Sequence, residues 1–342
     1  MLGSRRARIG SRRGHVQQGG IMTRDRLRFA AALAAAIFLG ACAPSGQPAG
    51  PTGDGDATDI TDATFTSRAT SCTAYAGTYT ATATDLERGT TFTASVEITD
   101  AGDAYTFVSN SIPNHDFNDA GAFATPVAEV TEQFSVDAAP TAAGTSTPLS
   151  LEYDNAIFLN GVKLDQLAAA CYGVGNEPLG QEKIGCFDSD TPWRYDPMHP
   201  GNAFGTDSHN AHTQPDGAYH YHGDPQAMYE DSAAQASPVI GFAADGFPIH
   251  GPYFDDNGTI RKAVSGYTLK SGARVSAPGE GAFPGGTYDG TFVDDWEWTD
   301  AGDLDECNGM TVDGAYGYYV TDQYPWVMAC FQGTPDPSFR KQ

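Results

Sequence analysis

Four of the chain's eight histidines, His209, His212, His220 and His222, fall within fourteen residues of the run DSHNAHTQPDGAYHYHG, Asp207 to Gly223. Carboxylates at Asp207, Asp216 and Asp224 stand beside them. Neutral imidazole is the commonest ligand for zinc, copper, nickel and non-haem iron, so this density points to a metal site. Three or four imidazoles suit zinc or copper. An open coordination position would let the metal lower the pKa of bound water for hydrolysis of an ester or amide, with Asp216 or Asp245 as base. Two other readings stand beside it: a non-catalytic module that sequesters metal or binds a surface ligand, and a purely structural His/Tyr hydrogen-bond network.

The segment Tyr219-His220-Tyr221-His222 predicts its own geometry. On a strand, successive side chains point to opposite faces, so both histidines share one face and both tyrosines the other. Asp216-Gly217 is a turn signal, which folds His209 and His212 back across a hairpin to face His220 and His222. His209 and His212 are three apart and serve one ion together only if their segment makes a helical turn. Downstream, Asp245-Gly246 marks a turn before His250, where an acid can orient an imidazole. Calcium is a further possibility at the acid cluster Asp303, Asp305 and Glu306. Asp255 to Gly258 lacks the remaining ligands of a calcium loop and reads as a turn. The aromatics Trp296, Trp298, Tyr316, Tyr318, Tyr319, Tyr324 and Trp326 suit packing, or the lining of a carbohydrate or peptide groove. No G-x-S-x-G, H-E-x-x-H, Walker A or G-x-G-x-x-G pattern follows a strand here.

The elements around these residues read as mainly β. Glycine (40) and proline (21) are abundant and helical periodicity is scarce, so one compact β-rich domain with long loops is expected over 67–342. Strands are predicted in the Thr-rich stretch 67–100, at 105–109, 129–136, 152–159, 239–243 and 291–298. A single short helix is expected at 225–234.

The start of the chain reads as targeting. Eight of the 19 basic residues lie in the first 42, with one acid, leaving 11 basic against 42 acidic residues after them. Arg24, Arg26 and Arg28 make an n-region, Phe29 to Leu39 an apolar h-region, and Leu39-Gly40-Ala41-Cys42 a lipobox, with Met22 as the natural start. Residues 1–42 are thus a signal peptide, and Cys42 is the lipidated residue of an extracytoplasmic lipoprotein anchored to a membrane, in the periplasm, outer membrane or cell surface. Cleavage near Ala43 would instead release a soluble secreted protein. Residues 43–66, nearly without large apolar side chains, read as a disordered tether. The acidic remainder repels phosphate backbones, which argues against a nucleic-acid partner. Of the five remaining cysteines, spacing alone fixes no pairing. The pairs that close short loops, Cys307 with Cys330 and Cys171 with Cys186, are favoured, each worth roughly 3 kcal/mol.

HNAHTQPDGAYHYHG, followed by VIGFAADGFPIHG, GGTYDGTFVDDWEW, GDLDECNG and YYVTDQYPWVMACFQGTP, closely resembles the bacterial YHYH-domain family. The upstream SNSIPNHDF and Asn160 to Lys163 look like its beginning, so the resemblance spans about 109–335. Asn210, His212, Gln214, Asp216, Gly217, Tyr219, His220, Tyr221, His222, Asp245, Gly246, Pro248, Asp305, Glu306, Cys307, Asn308 and Cys330 occupy its motif positions. The chain departs at His250, where the family carries Tyr, which weakens His250 as a ligand. The resemblance implies a secreted or surface protein and brings no activity with it.

Overall fold

A computed structural model describes residues 57–175, 185–276 and 281–341. The expected signal peptide, Cys42 and residues 43–56 of the expected tether lie outside the described residues.

Alternating Thr and apolar residues build the first sheet. Its strands are β1 (Thr58–Asp59), β2 (Gly77–Asp85), β3 (Thr90–Asp100), β4 (Ala104–Ser109) and β5 (Glu132–Asp137), adjacent in that order. Ala81 and Ala83 on β2, Ala94, Val96 and Ile98 on β3, and Tyr105 and Phe107 on β4 are buried, while their threonine neighbours are more open. This is the period of a sheet with one covered face.

The chain then runs through β6 (Thr147–Pro148), β7 (Ala156–Phe158), β8 (Lys163–Leu164), β9 (Ala211–Thr213), β10 (Tyr219–Tyr221), β11 (Val239–Ala243) and β12 (Pro248–His250). A hairpin of β13 (Tyr253–Asp256) and β14 (Thr259–Lys262) follows, turning on Asn257-Gly258. Next, β15 (Tyr267–Leu269) pairs with β16 (Trp296–Trp298), β17 (Gly309–Val312) with β18 (Ala315–Tyr319), and β19 (Cys330–Phe331) with β6. Eight of these strands form the second sheet, in the order β17-β18-β12-β11-β7-β8-β10-β9. Its inner strands are covered on both faces: every residue of β7, β10 and β11 is buried, and β7 and β11 are apolar throughout. Phe107 of the first sheet packs on Phe242 of the second, with ring centroids 6.4 Å apart, inside one continuous core.

Three expectations differ from the structure. Residues 57–66 belong to the domain: Thr58 and Asp59 pair with β2, Ile60 is buried, and Phe65 N–H donates to Met228 O at 2.8 Å. One isoleucine and one phenylalanine in a polar stretch suffice when a sheet edge supplies the backbone partners. Residues 225–234 form no helix, because side chains capture the backbone first. Asp224 accepts from Gln226 N–H at 2.9 Å and from the Tyr229 hydroxyl, and Gln226 takes a left-handed φ of 57°. The stretch 291–298 is a strand only at β16, after a 3-10 turn at Val293–Asp295.

Both favoured disulfides are present, with Cα separations of 5.7 Å for Cys171–Cys186 and 4.6 Å for Cys307–Cys330. Cys72 is a buried free thiol, pushed up to about 12 by desolvation.

Candidate metal centre

The Asp216-Gly217 signal yields a hairpin between β9 and β10. Gln214 N–H donates to Ala218 O at 2.9 Å, Asp216 Oδ1 accepts from Ala218 N–H at 3.0 Å, and Gly217 takes the left-handed φ of 94° that the turn requires. In the resulting register His220 stands directly opposite His212. Strand alternation sends the tyrosines into the core, where they anchor the strand's depth. The Tyr219 hydroxyl donates to Asp207 Oδ2 at 2.9 Å. The Tyr221 hydroxyl bonds His115 Nε2 at 2.7 Å and accepts from Asn160 Nδ2 at 2.9 Å. His220 and His222 take the other face.

On that face three rings converge. His222 Nε2 lies 3.0 Å from His212 Nε2 and 3.2 Å from His220 Nε2, and each pair of ring centroids is 4.8 Å apart. Their outer nitrogens all meet backbone carbonyls: His212 Nδ1 meets Phe204 O at 2.8 Å, and His220 and His222 Nδ1 meet Ala218 O and Gln166 O at 3.4 Å each. A carbonyl only accepts, so these partners assign the proton to Nδ1 in each neutral ring and leave a lone pair on each Nε2. Burial, reinforced by the neighbouring imidazoles, holds His222 down to about 3 and His220 well below the usual range, so both rings stay in the ligating form. Lone pairs facing one another at 3.0–3.2 Å repel unless a cation lies between them. Imidazoles on one tetrahedral zinc, at about 2.0–2.1 Å each, place their nitrogens about 3.3–3.4 Å apart, close to the spacing found.

The face continues onto β8, a contribution the sequence reading missed. β8 runs parallel to β10, with Lys163 beside His220 and Leu164 beside Tyr221, and Asp165 N–H donates to Tyr221 O at 2.9 Å. Parity puts Lys163 and Asp165 with the histidines and Leu164 with the tyrosines. Asp165 Oδ2 accepts from Lys341 Nζ at 2.6 Å and from Gln214 Nε2 at 3.0 Å. Lys163 is buried between Glu132 and Asp154, whose carboxylates outweigh the desolvation of its ammonium and raise its pKa. The polar-apolar-polar alternation of Lys163-Leu164-Asp165 was visible in the sequence, but nothing in it announced the strand's partner.

The remaining candidates sit elsewhere. His209 lies against His115, with ring centroids 3.8 Å apart and the planes tilted by 42°, and its Nδ1 meets Pro225 O at 3.0 Å; it does not join the triad. Asp216 is exposed in the hairpin turn. Asp245 is buried in the β11–β12 turn, accepting from the Tyr318 hydroxyl at 2.6 Å and Gly333 N–H at 2.9 Å. Three strand spacings, roughly 14 Å, separate β11 from β10 in the sheet. His250 is buried against Tyr319, with rings nearly parallel at 4.8 Å. Asp303 pairs with Arg261 at 2.7 Å, and Asp305 accepts from the N–H groups of Cys307 and Gly309 at 2.9 Å each. Among the described residues, the other grouping of potential metal ligands is Glu306 with Cys307 and Cys330, whose sulfurs are joined in a disulfide.

A family model described as "YHYH protein" matches residues 133–333. No curated protein matches the chain, and no solved structure does. The match begins after SNSIPNHDF, yet it contains the whole triad, Lys163, Asp165 and both disulfides. It covers more than half of the chain, which therefore belongs to the YHYH protein family.

Proposed function

We propose that the chain is a lipid-anchored extracytoplasmic protein that holds a transition-metal ion, zinc or copper, on the Nε2 atoms of His212, His220 and His222. One observation carries the metal reading: three rings, His220 and His222 buried and His212 half-buried, have their Nδ1 atoms tied to backbone carbonyls and their Nε2 lone pairs turned toward one another. A ring packed only for its shape has no reason to face two other acceptors, whereas a metal ligand is regularly fixed by an outer hydrogen bond of this kind. The lipobox before Cys42 and the two disulfides support placement in an oxidising compartment.

Elemental analysis after reconstitution with zinc or copper tests the site. One metal ion per chain is expected for the parent, and none for His220→Ala/His222→Ala. A parent holding less than about 0.1 ion per chain, far below the single site that this donor set supplies, removes the proposal. For the anchor, Cys42→Ala moves the protein from the detergent phase to the aqueous phase; an unchanged partition contradicts lipidation.

A further inference from the structure

We infer that this metal centre is hydrolytic toward uncharged acyl compounds, and that Asp165 is the group that takes the proton from the attacking water. The inference rests on the metal reading above. Asp165 occupies the histidine face one strand over from His222, and neighbouring strands are about 4.8 Å apart, a span that an aspartate and one water molecule bridge. Its Oδ2 is held by Lys341 and Gln214, and among the described residues no hydrogen bond occupies Oδ1. Gln214 stands two residues after His212 on the same strand parity, so the segment that supplies a metal ligand also orients the carboxylate. Neither Asp216 nor Asp245 offers such a placement.

The step balances within these groups. Asp165 Oδ1 would take the proton of the attacking water, whose oxygen bonds to the acyl carbon, and a metal held by His212, His220 and His222 would supply the Lewis acidity that makes that water acidic. The acyl–oxygen or acyl–nitrogen bond breaks, and Asp165 returns the proton to the leaving group. Charge selects the substrate class. Glu132 and Asp165 balance Lys163 and Lys341 around β8, burial pushes Asp154 up to about 7, and the whole chain carries a net charge of -24. A phosphate ester is repelled there, while a neutral ester or amide is not. A cavity of about 490 Å³ lined by Met198, Phe204, Ala203 and Asn210 lies on the backbone side of the triad, and none of His212, His220, His222 and Asp165 lines it. Phe204 O is the partner of His212 Nδ1, Asn210 O accepts from His222 N–H at 2.9 Å, and the Met198 side chain lies against Gly223.

The test uses the full-length chain, purified in detergent and loaded with zinc, with 4-nitrophenyl acetate and bis(4-nitrophenyl) phosphate as probes. The parent is expected to hydrolyse the acetate faster than a His212→Ala/His220→Ala variant, and to act on the phosphate no faster than that variant does. Asp165→Asn should keep one zinc per chain and lose about 10²- to 10⁴-fold in kcat/KM, and Asp165→Glu should recover part of the loss. Asp216→Asn should leave the rate unchanged. An Asp165→Asn rate within about threefold of the parent overturns the role of Asp165, as does loss of zinc from that variant. A zinc-loaded parent no faster than the double variant overturns the hydrolytic reading while leaving the metal site standing. Preference for the phosphate overturns the substrate class. A parent that takes up no zinc removes the metal reading, and this one with it.

Discussion

Replacing His212 by Ala takes away one of three converging lone pairs while leaving the hairpin backbone in place. Metal affinity is expected to fall by more than about 100-fold, since even outer partners of metal ligands are worth roughly 10- to 100-fold. His209→Ala should bind metal like the parent, because His209 lies against His115 and is bonded to Pro225 O. Competition titration against a chromophoric chelator measures both, and equal losses in the two variants would contradict the triad. At this scale the sequence was informative where strand parity governed: one glance at YHYH puts His220 and His222 on a common face. It was uninformative for His209, whose ring follows a loop set by the Asp207 carboxylate. Asp207 Oδ1 accepts from both His209 N–H and Ala211 N–H, which turns the chain before β9 begins. Local side-chain bonds of this sort leave no periodic trace.

Among the elements, the β9–β10 hairpin is the part that sets the distance between His212 and His220. A Cβ on Gly217 would stand 2.6 Å from the Ala128 Cβ and 2.9 Å from its backbone nitrogen, at a φ of 94°. Gly217→Ala is therefore expected to cost about 2–4 kcal/mol through strain and crowding, and to weaken metal binding as the hairpin shifts. Urea unfolding and the same chelator titration check it; wild-type stability would show that the turn is not what holds the two strands. The hairpin was legible because Asp-Gly is a local signal between adjacent strands. The β8–β10 pairing was not, because it joins segments more than fifty residues apart through a parallel crossover that no local residue pattern records. That is why Asp165 and Lys163 emerged only with the fold, and why Asp216 and Asp245 looked like the natural carboxylates before it.

For the whole molecule, β class was readable from composition, and short-loop closure favoured the two disulfide pairs without fixing them, whereas the domain's leading edge was not legible, since Thr58–Asp59 become a strand only by borrowing the edge of β2. Global stability should carry the imprint of histidines buried outside the triad. Burial, with a smaller push from Arg68, lowers His250 to about 4. The fold favours its neutral form while the unfolded chain takes up a proton near 6.5, so its contribution is complete above about pH 6.5 and is lost as pH falls toward 4. His250→Gln is expected to shrink the stability difference between pH 7 and pH 4 by roughly 2–3 kcal/mol in urea titrations. An unchanged difference would show that His250 is not neutral in the fold.

Whether three Nε2 atoms share one ion is read from anomalous X-ray scattering by crystals of the zinc-loaded protein, collected on either side of the zinc edge. One anomalous peak is expected about 2.0–2.1 Å from the Nε2 atoms of His212, His220 and His222. Fully ordered rings with no peak between them, or a peak held by other residues, would contradict it.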